Sequence, residues 1–177
     1  HGSNLIKELR KLDGTAVIRC WGGDKMEAAG AALVKHYREL AFMGFAEVLM
    51  NLRTIFRNLK FCKKDILHFK PDALVLIDYP GFNLRIAKWA KQNGFRCIYY
   101  ISPQVWAWKE SRANMMMKCI DKLLVLLPFE REYYKRKWNW EVEYVGHPLM
   151  EETERFMNQA ENRSSSGEQV IALLPGS

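Results

Sequence analysis

Asp78 has the most chemistry to offer in this chain. It stands at the carboxyl end of a wholly apolar run, Ala73-Leu74-Val75-Leu76-Ile77, and is followed by Tyr79-Pro80-Gly81-Phe82-Asn83. Open α/β sheets bind ligands in the crevice beyond the carboxyl ends of their strands, so a carboxylate there can act as a general base or accept a substrate hydroxyl. Aspartate is also a common helix N-cap and turn former, and position alone gives the two readings equal weight. The aromatic and glycine surroundings favour the chemical one. A second segment of the same build, Tyr99-Tyr100-Ile101-Ser102-Pro103-Gln104-Val105-Trp106-Ala107-Trp108, leaves an apolar strand through Ser102-Pro103 and then carries two tryptophans where a loop belongs. Tryptophan is costly to leave in water. The pair either stacks on a sugar or acyl chain or plugs the upper edge of the sheet, and alternation puts both on one side of an extended segment. His147, in Gly146-His147-Pro148 after a short strand, can meet a phosphate or hydroxyl, or simply hold a turn. Gly22-Gly23 and Gly176-Ser177 each follow a strand, as phosphate loops do, but neither matches the dinucleotide fingerprint or the P-loop.

These residues need a scaffold of alternating strands and helices. A helix ends at Leu5–Leu12, a strand at Thr15–Trp21 empties into Gly22-Gly23, and a short polar helix starts at Asp24. The apolar stretch Leu40–Val48 leads into a long amphipathic helix reaching about Phe69, whose Leu49, Leu52, Phe56, Leu59, Ile66 and Phe69 recur at helical spacing. Arg53, Arg57, Lys60 and Lys64 make a basic stripe on another face. Beyond it the sequence predicts strand Ala73–Ile77, helix Phe82–Gln92, strand Arg96–Ile101, helix Lys109–Ile120, strand Lys122–Leu126, helix Pro128–Lys137, strand Glu143–Val145 and a helix from about Leu149. Near-continuous apolar strands in βαβ repetition predict an α/β fold, a parallel sheet with helices on both faces. Asn162–Glu168 is polar, Ser-rich and Gly-ended and reads as a linker, followed by one more strand, Val170–Leu174.

With 177 residues the chain is long enough for one well-cored domain, and 49% hydrophobic content excludes a disordered chain. Cys20, Cys62, Cys97 and Cys119 lie far apart in apolar or helical settings, as reduced cytosolic thiols do, and His36, His68 and His147 are not spaced as metal ligands. No apolar run approaches the roughly 18–20 residues of a membrane span and no signal peptide is visible, so the expectation is a soluble or peripherally attached chain. A net charge of +7 favours anionic partners: phosphates, a lipid surface or nucleic acid. The basic residues lie along one helix beside Phe and Leu, not around an exposed aromatic platform, which makes nucleic acid a poor fit. Phe42, Met43, Phe45, Leu49, Met50, Phe56 and Phe61 beside the stripe suit an anionic lipid interface. A helix packed on the sheet explains much of the same pattern between Leu52 and Phe69.

Taken together, the motifs resemble the lipid-A-disaccharide synthase family of inverting glycosyltransferases. The matching segments are Gly22-Gly23-Asp24-Lys25-Met26, Leu40–Val48 (LAFMGFAEV), Lys70-Pro71-Asp72, Ile77–Asn83 (IDYPGFN), Tyr100–Trp108 (YISPQVWAW), Leu127-Pro128-Phe129-Glu130, Val145-Gly146-His147-Pro148 and Leu173–Ser177 (LLPGS). They come in the family's order over nearly the whole chain, and SPQVWAW and MGFAEVL are the specific ones. The resemblance implies a Rossmann-like amino-terminal domain of a GT-B fold, truncated at both ends. It divides the chain into an acceptor-side domain (1–161), a linker (162–168) and the first strand of a nucleotide-sugar domain (169–177). His1 then reads as native, although His-Gly-Ser also matches a purification-tag remnant.

The implied reaction joins UDP-2,3-diacylglucosamine to 2,3-diacylglucosamine 1-phosphate, releasing UDP and a β(1→6)-linked disaccharide phosphate in lipid A biosynthesis. No metal or cofactor is expected. The resemblance makes Asp78 the base, Met43, Gly44, Phe82, Ser102, Pro103, Trp106, Trp108 and His147 substrate contacts, and Gly176 and Ser177 the opening of the UDP phosphate loop. Some family members carry a second acid where this chain has Gly81. Membrane contact falls to Phe42, Met43, Phe45, Arg53, Arg57 and Lys60, on the cytoplasmic side of the inner membrane of a Gram-negative bacterium, and a homo-oligomer is compatible with all of this. Two further readings stand beside it. One is another GT-B enzyme, such as a lipid-linked N-acetylglucosamine transferase or a UDP-sugar epimerase, which should lack SPQVWAW. The other is a non-catalytic lipid- or sugar-binding domain, the expectation for this stretch on its own, because half of a bisected active site should not turn over.

Overall fold

The structure, a computed structural model, describes residues 1–39, 52–107 and 110–160. In chain order it runs α1 (Gly2–Leu12), β1 (Arg19–Gly22), α2 (Asp24–Ala28), β2 (Ala32–His36), a turn of 3₁₀ helix at Tyr37–Glu39, α3 (Leu52–Phe69), β3 (Leu74–Ile77), α4 (Pro80–Gln92), β4 (Cys97–Tyr100), α5 (Ser111–Cys119), β5 (Lys122–Val125), α6 (Pro128–Trp138), β6 (Glu143–Tyr144) and α7 (Leu149–Ala160). Every paired strand is parallel, so each crossover carries a helix back along the sheet. β3, β4, β5 and β6 lie side by side in that order. The register sets Leu76 against Tyr99 and Ile77 against Tyr100, then Tyr99 against Leu123, so the carboxyl ends of β3 and β4 finish level with each other.

The main core forms where α4, α5 and α6 press on this sheet. Ile86, Ala87 and Ala90 of α4, Ala113 and Met116 of α5 and Tyr134 of α6 close over Tyr99, Leu123 and Val125. Small residues at Ala87, Ala90 and Ala113 let the helix backbones approach the sheet closely. A smaller cluster of Ile6, Cys20, Ala29 and Ala31 seats α1 and α2 on β1 and β2. Asp121, between α5 and β5, ties the bottom of the sheet: its carboxylate accepts the Cys97 N–H at 2.8 Å and pairs with Lys91, while its own N–H donates to the Cys97 carbonyl at 2.8 Å. All four cysteines are free and buried, and burial pushes the Cys62 and Cys97 thiols up to about 12. Thiols held protonated in this way are not nucleophiles.

The α/β class with parallel strands holds, and the strands and helices after α3 fall within two residues of the sequence expectation. Three features differ. Among the described residues the parallel strands form two sheets instead of one, with β1 paired to β2 and not to β3. The first strand is shorter than Thr15–Trp21, because Val17 is exposed and pairing begins at Arg19. β2 was not anticipated: Ala32–His36 is half-exposed and carries Lys and His, so it lacks the continuous apolar run of a buried strand. The expectations for Phe42, Met43, Gly44, Phe45 and Trp108, for the linker at 162–168 and for Gly176 and Ser177 lie outside the described residues.

Candidate active site

Asp78 is the first residue past β3, and the backbone there takes an unusual path. Asp78 and Tyr79 are both left-handed, with φ of 47° and 43°, and Ile101, at the matching position after β4, has φ of 68°. Such conformations cost about 1–3 kcal/mol each in non-glycine residues and persist only where neighbours enforce them. The enforcing contacts are visible. Asp78 N–H donates to the Tyr100 carbonyl at 3.2 Å, continuing the ladder one step beyond the strand. The Asp78 carbonyl accepts the Tyr99 phenol at 2.6 Å and the Asn83 amide at 2.7 Å, and that amide also donates to the Ile77 carbonyl at 3.1 Å. Burial, reinforced by the nearby Asp78 charge, raises the Tyr99 phenol well above its ordinary value, so it stays a donor. Tyr79 is the N-cap residue of α4, with Pro80 opening the first turn, which removes helix capping as the reason for an aspartate at 78.

Asp78 is exposed at a groove of about 1760 Å³ lined by residues of both β1 and β3. Phe82, Ser102, Gln104, Glu130 and His147 line the same groove. Phe82 is buried against Trp21 and Tyr79, with both ring centroids 6.0 Å away. Ser102 is buried with its Oγ 2.8 Å from the Tyr134 hydroxyl, and Pro103 is buried next to it. Trp106 does not line the groove: its ring meets Phe129 edge-on at 5.0 Å and its indole N–H donates to Glu130 Oε1 at 3.3 Å. The other Glu130 oxygen accepts the Leu127 N–H at 3.0 Å, so this carboxylate both caps α6 and holds the loop after β4. Burial raises the Glu130 carboxyl above its ordinary value, against the opposing pull of these donors.

A family model described as lipid-A-disaccharide synthetase matches residues 1–177. The lipid-A-disaccharide synthase of Geobacter metallireducens is 40% identical over 181 residues, taking in 100% of this chain and 47% of the relative. Lipid-A-disaccharide synthase 1 of Legionella pneumophila (strain Lens) is 39% identical over 182 residues with the same shares, and the Syntrophus aciditrophicus enzyme is 38% identical over 181. The chain belongs to the lipid-A-disaccharide synthetase family. It spans about half the length of the curated relatives it matches.

In this member of the lipid-A-disaccharide synthetase family, Asp78, Phe82, Ser102 and His147 line one large groove, while Trp106 is bonded to Glu130 and does not line it. His147 Nδ1 accepts the Leu149 N–H at 3.2 Å at the start of α7, which leaves the proton on Nε2. Arg53, Arg57 and Lys60 are exposed on α3 and do not line the groove. Of the apolar positions on α3, Leu59, Cys62 and Ile66 pack inward, while Leu52, Phe56 and Phe61 stay exposed. The sequence motifs contain Tyr99, Asn83, Gln104 and Glu130 but assign none of them a role of its own. Tyr99 reads as core in the middle of a strand, and only its hydroxyl, which needs a buried partner, hinted at more. Gly22 and Gly23 are explained by close packing: a Cβ on Gly23 would stand 2.5 Å from the Tyr37 ring, and one on Gly22 2.3 Å from Met26 Sδ. Among the described residues, no group of three or more His, Cys, Asp or Glu could hold a metal ion, and no helix is long and apolar enough to cross a membrane.

Proposed function

We propose that this chain is the acceptor-side half of an inverting glycosyltransferase. The full reaction transfers 2,3-diacylglucosamine from its UDP derivative to 2,3-diacylglucosamine 1-phosphate and forms a β(1→6) disaccharide phosphate. Family membership supports the reaction class, and the observation that carries the site is Asp78, left-handed and exposed at the groove. As the acceptor's 6-hydroxyl oxygen attacks the anomeric carbon from the face opposite UDP, the Asp78 carboxylate takes its proton. The bond to UDP breaks as the new glycosidic bond forms, and configuration inverts. General-base catalysis of this kind contributes about 10²–10⁴-fold. His147, with its Nε2 proton free of the turn, donates to the acceptor phosphate. Ser102, Phe82 and Pro103, with Met43, Gly44 and Trp108, shape the sugar and acyl site, Trp106 serves it from outside the groove by tying the loop after β4 to Glu130, and Gly176-Ser177 opens the loop that receives the UDP phosphates. The layout is an acceptor domain at 1–161, a linker at 162–168 and the start of the donor domain at 169–177.

Both substrates are acylated, and the exposed Leu52, Phe56 and Phe61 beside Arg53, Arg57 and Lys60 support docking on the anionic inner membrane from the cytoplasmic side. Each basic residue near such a surface contributes about 1 kcal/mol, and Phe42, Met43 and Phe45 insert alongside. Co-sedimentation with phosphatidylglycerol vesicles should fall when Phe42, Met43 and Phe45 become Ser; unchanged binding contradicts the docking.

The 177 residues alone bind lipid or sugar without turning it over, a reading favoured by their covering about 47% of the relatives' length. The deciding assay supplies both substrates to the complete protein carrying this sequence and to the 177-residue chain. Disaccharide phosphate and UDP from the complete protein alone are expected. No product from the complete protein contradicts the reaction, and product from the short chain contradicts its inactivity.

A further inference from the structure

We propose that Tyr99 and Asn83 are positioning residues that aim the Asp78 carboxylate by gripping its own backbone carbonyl. The proposal rests on Asp78 being the base. A peptide carbonyl has two lone pairs, and here a phenol at 2.6 Å and an amide at 2.7 Å take both. With both occupied, the peptide plane joining Asp78 to Tyr79 cannot rotate without losing a buried partner. The Asn83 amide also reaches the Ile77 carbonyl at 3.1 Å, so two successive carbonyls converge on one side chain and the chain curls around it.

That curl is what puts Asp78 and Tyr79 at φ 47° and 43°. In an ordinary strand-to-helix turn Asp78 would return to an extended or right-handed conformation, and its Cα–Cβ bond would swing to another side of the strand end. The two donors come from different elements. Tyr99 projects from the middle of β4, where it is 0% exposed and fixed by the core, and Asn83 sits in the first turn of α4. The side-chain direction of Asp78 is thereby referred to both the sheet and the helix. Tyr99 does not line the groove, and Asn83 lines it with its amide committed to the Ile77 and Asp78 carbonyls, so their effect on rate passes through Asp78.

The test uses the complete protein. Tyr99→Phe deletes one oxygen and keeps the ring in the core, and Asn83→Ala removes the second donor by an independent route should the first variant fold poorly. Each should lower kcat by about 10-fold, since a displacement of 1 Å can cost as much as 100-fold, while acceptor KM changes less than about 2-fold. In an Asp78→Asn background, with residual product followed by radiolabel, adding Tyr99→Phe should change nothing further. A Tyr99→Phe protein with wild-type kcat, or a loss that adds in full to that of Asp78→Asn, overturns the clamp and leaves the base assignment standing. An Asp78→Asn protein with wild-type kcat overturns the base assignment, and the clamp with it.

Discussion

The Tyr134 hydroxyl stands 2.8 Å from Ser102 Oγ, and one helical turn earlier on α6 Glu130 accepts the Trp106 indole N–H. Residues four apart on a helix share a face, so α6 staples the chain after β4 at two points, Ser102 and Trp106. That loop brings Ser102 and Gln104 to the groove.

Glu130→Ala should loosen this loop. It strips the acceptor from both the Trp106 and Leu127 N–H groups, and losing one buried acceptor costs about 1–3 kcal/mol. At about 2–4 °C per kcal/mol for a chain of this size, Tm should fall by several degrees. The Trp106 resonance in fluorotryptophan-labelled protein should shift and broaden. Tyr134→Phe should cost less, because Ser102 Oγ retains the Pro103 carbonyl at 3.1 Å. An unchanged Tm and resonance in Glu130→Ala contradict the staple.

Asp121 makes stability depend on acid. Its carboxyl is held below its ordinary value, first by the Lys91 hydrogen bond and then by the Cys97 N–H. A depressed acid favours the folded state at pH above its unfolded value of about 3.9. That contribution fades as pH falls from there through the depressed folded value. Asp121→Ala should therefore be less stable than wild type by an amount that is constant at neutral pH, and the ionic part of the difference should shrink below about pH 4. Denaturant midpoints across pH 2–7 measure it, and a difference independent of pH contradicts the assignment.

Gly81, in the first turn of α4, and Gly94, just past its end, both have open space around them, yet they should respond oppositely to alanine. A Cβ on Gly81 or on Gly94 would meet nothing within 4 Å, but Gly94 has φ of 79°. Gly81→Ala should stabilise by about 0.4–1 kcal/mol through the unfolded chain. Gly94→Ala should destabilise by about 1–2 kcal/mol, the cost of a left-handed L-residue. Urea midpoints of the two variants moving in the same direction contradict this.

Much of the scaffold was readable because local pattern and tertiary context agree. Val75, Leu76 and Ile77 read as a strand and form one, paired to Ile98, Tyr99 and Tyr100, although of the three only Leu76 is buried and Val75 is exposed. Helix α4 starts two residues earlier than expected, because Pro80 suits a first helical turn better than Phe82 does. The split into two sheets was not readable, since whether β1 joins β3 depends on distances that no local pattern encodes. At the site, a strand-end acid announces itself, and so the place of Asp78 just past β3 was legible. Tyr99 bonds a carbonyl 21 residues away and Glu130 an indole N–H 24 residues away, while Asn83 reaches back only to Ile77 and Asp78, and nothing in their spacing marks these contacts. Trp106 was conspicuous for the opposite reason, and the structure docks it on Glu130 and Phe129.

The most direct measurement is kcat of the Asp78→Asn variant of the complete protein, taken with acceptor and donor saturating and with acceptor binding measured alongside. Asparagine keeps the shape and cannot take the hydroxyl proton. A fall of about 100-fold or more in kcat, with acceptor affinity within a few-fold of wild type, is expected from loss of a general base. Turnover at the wild-type rate contradicts the account.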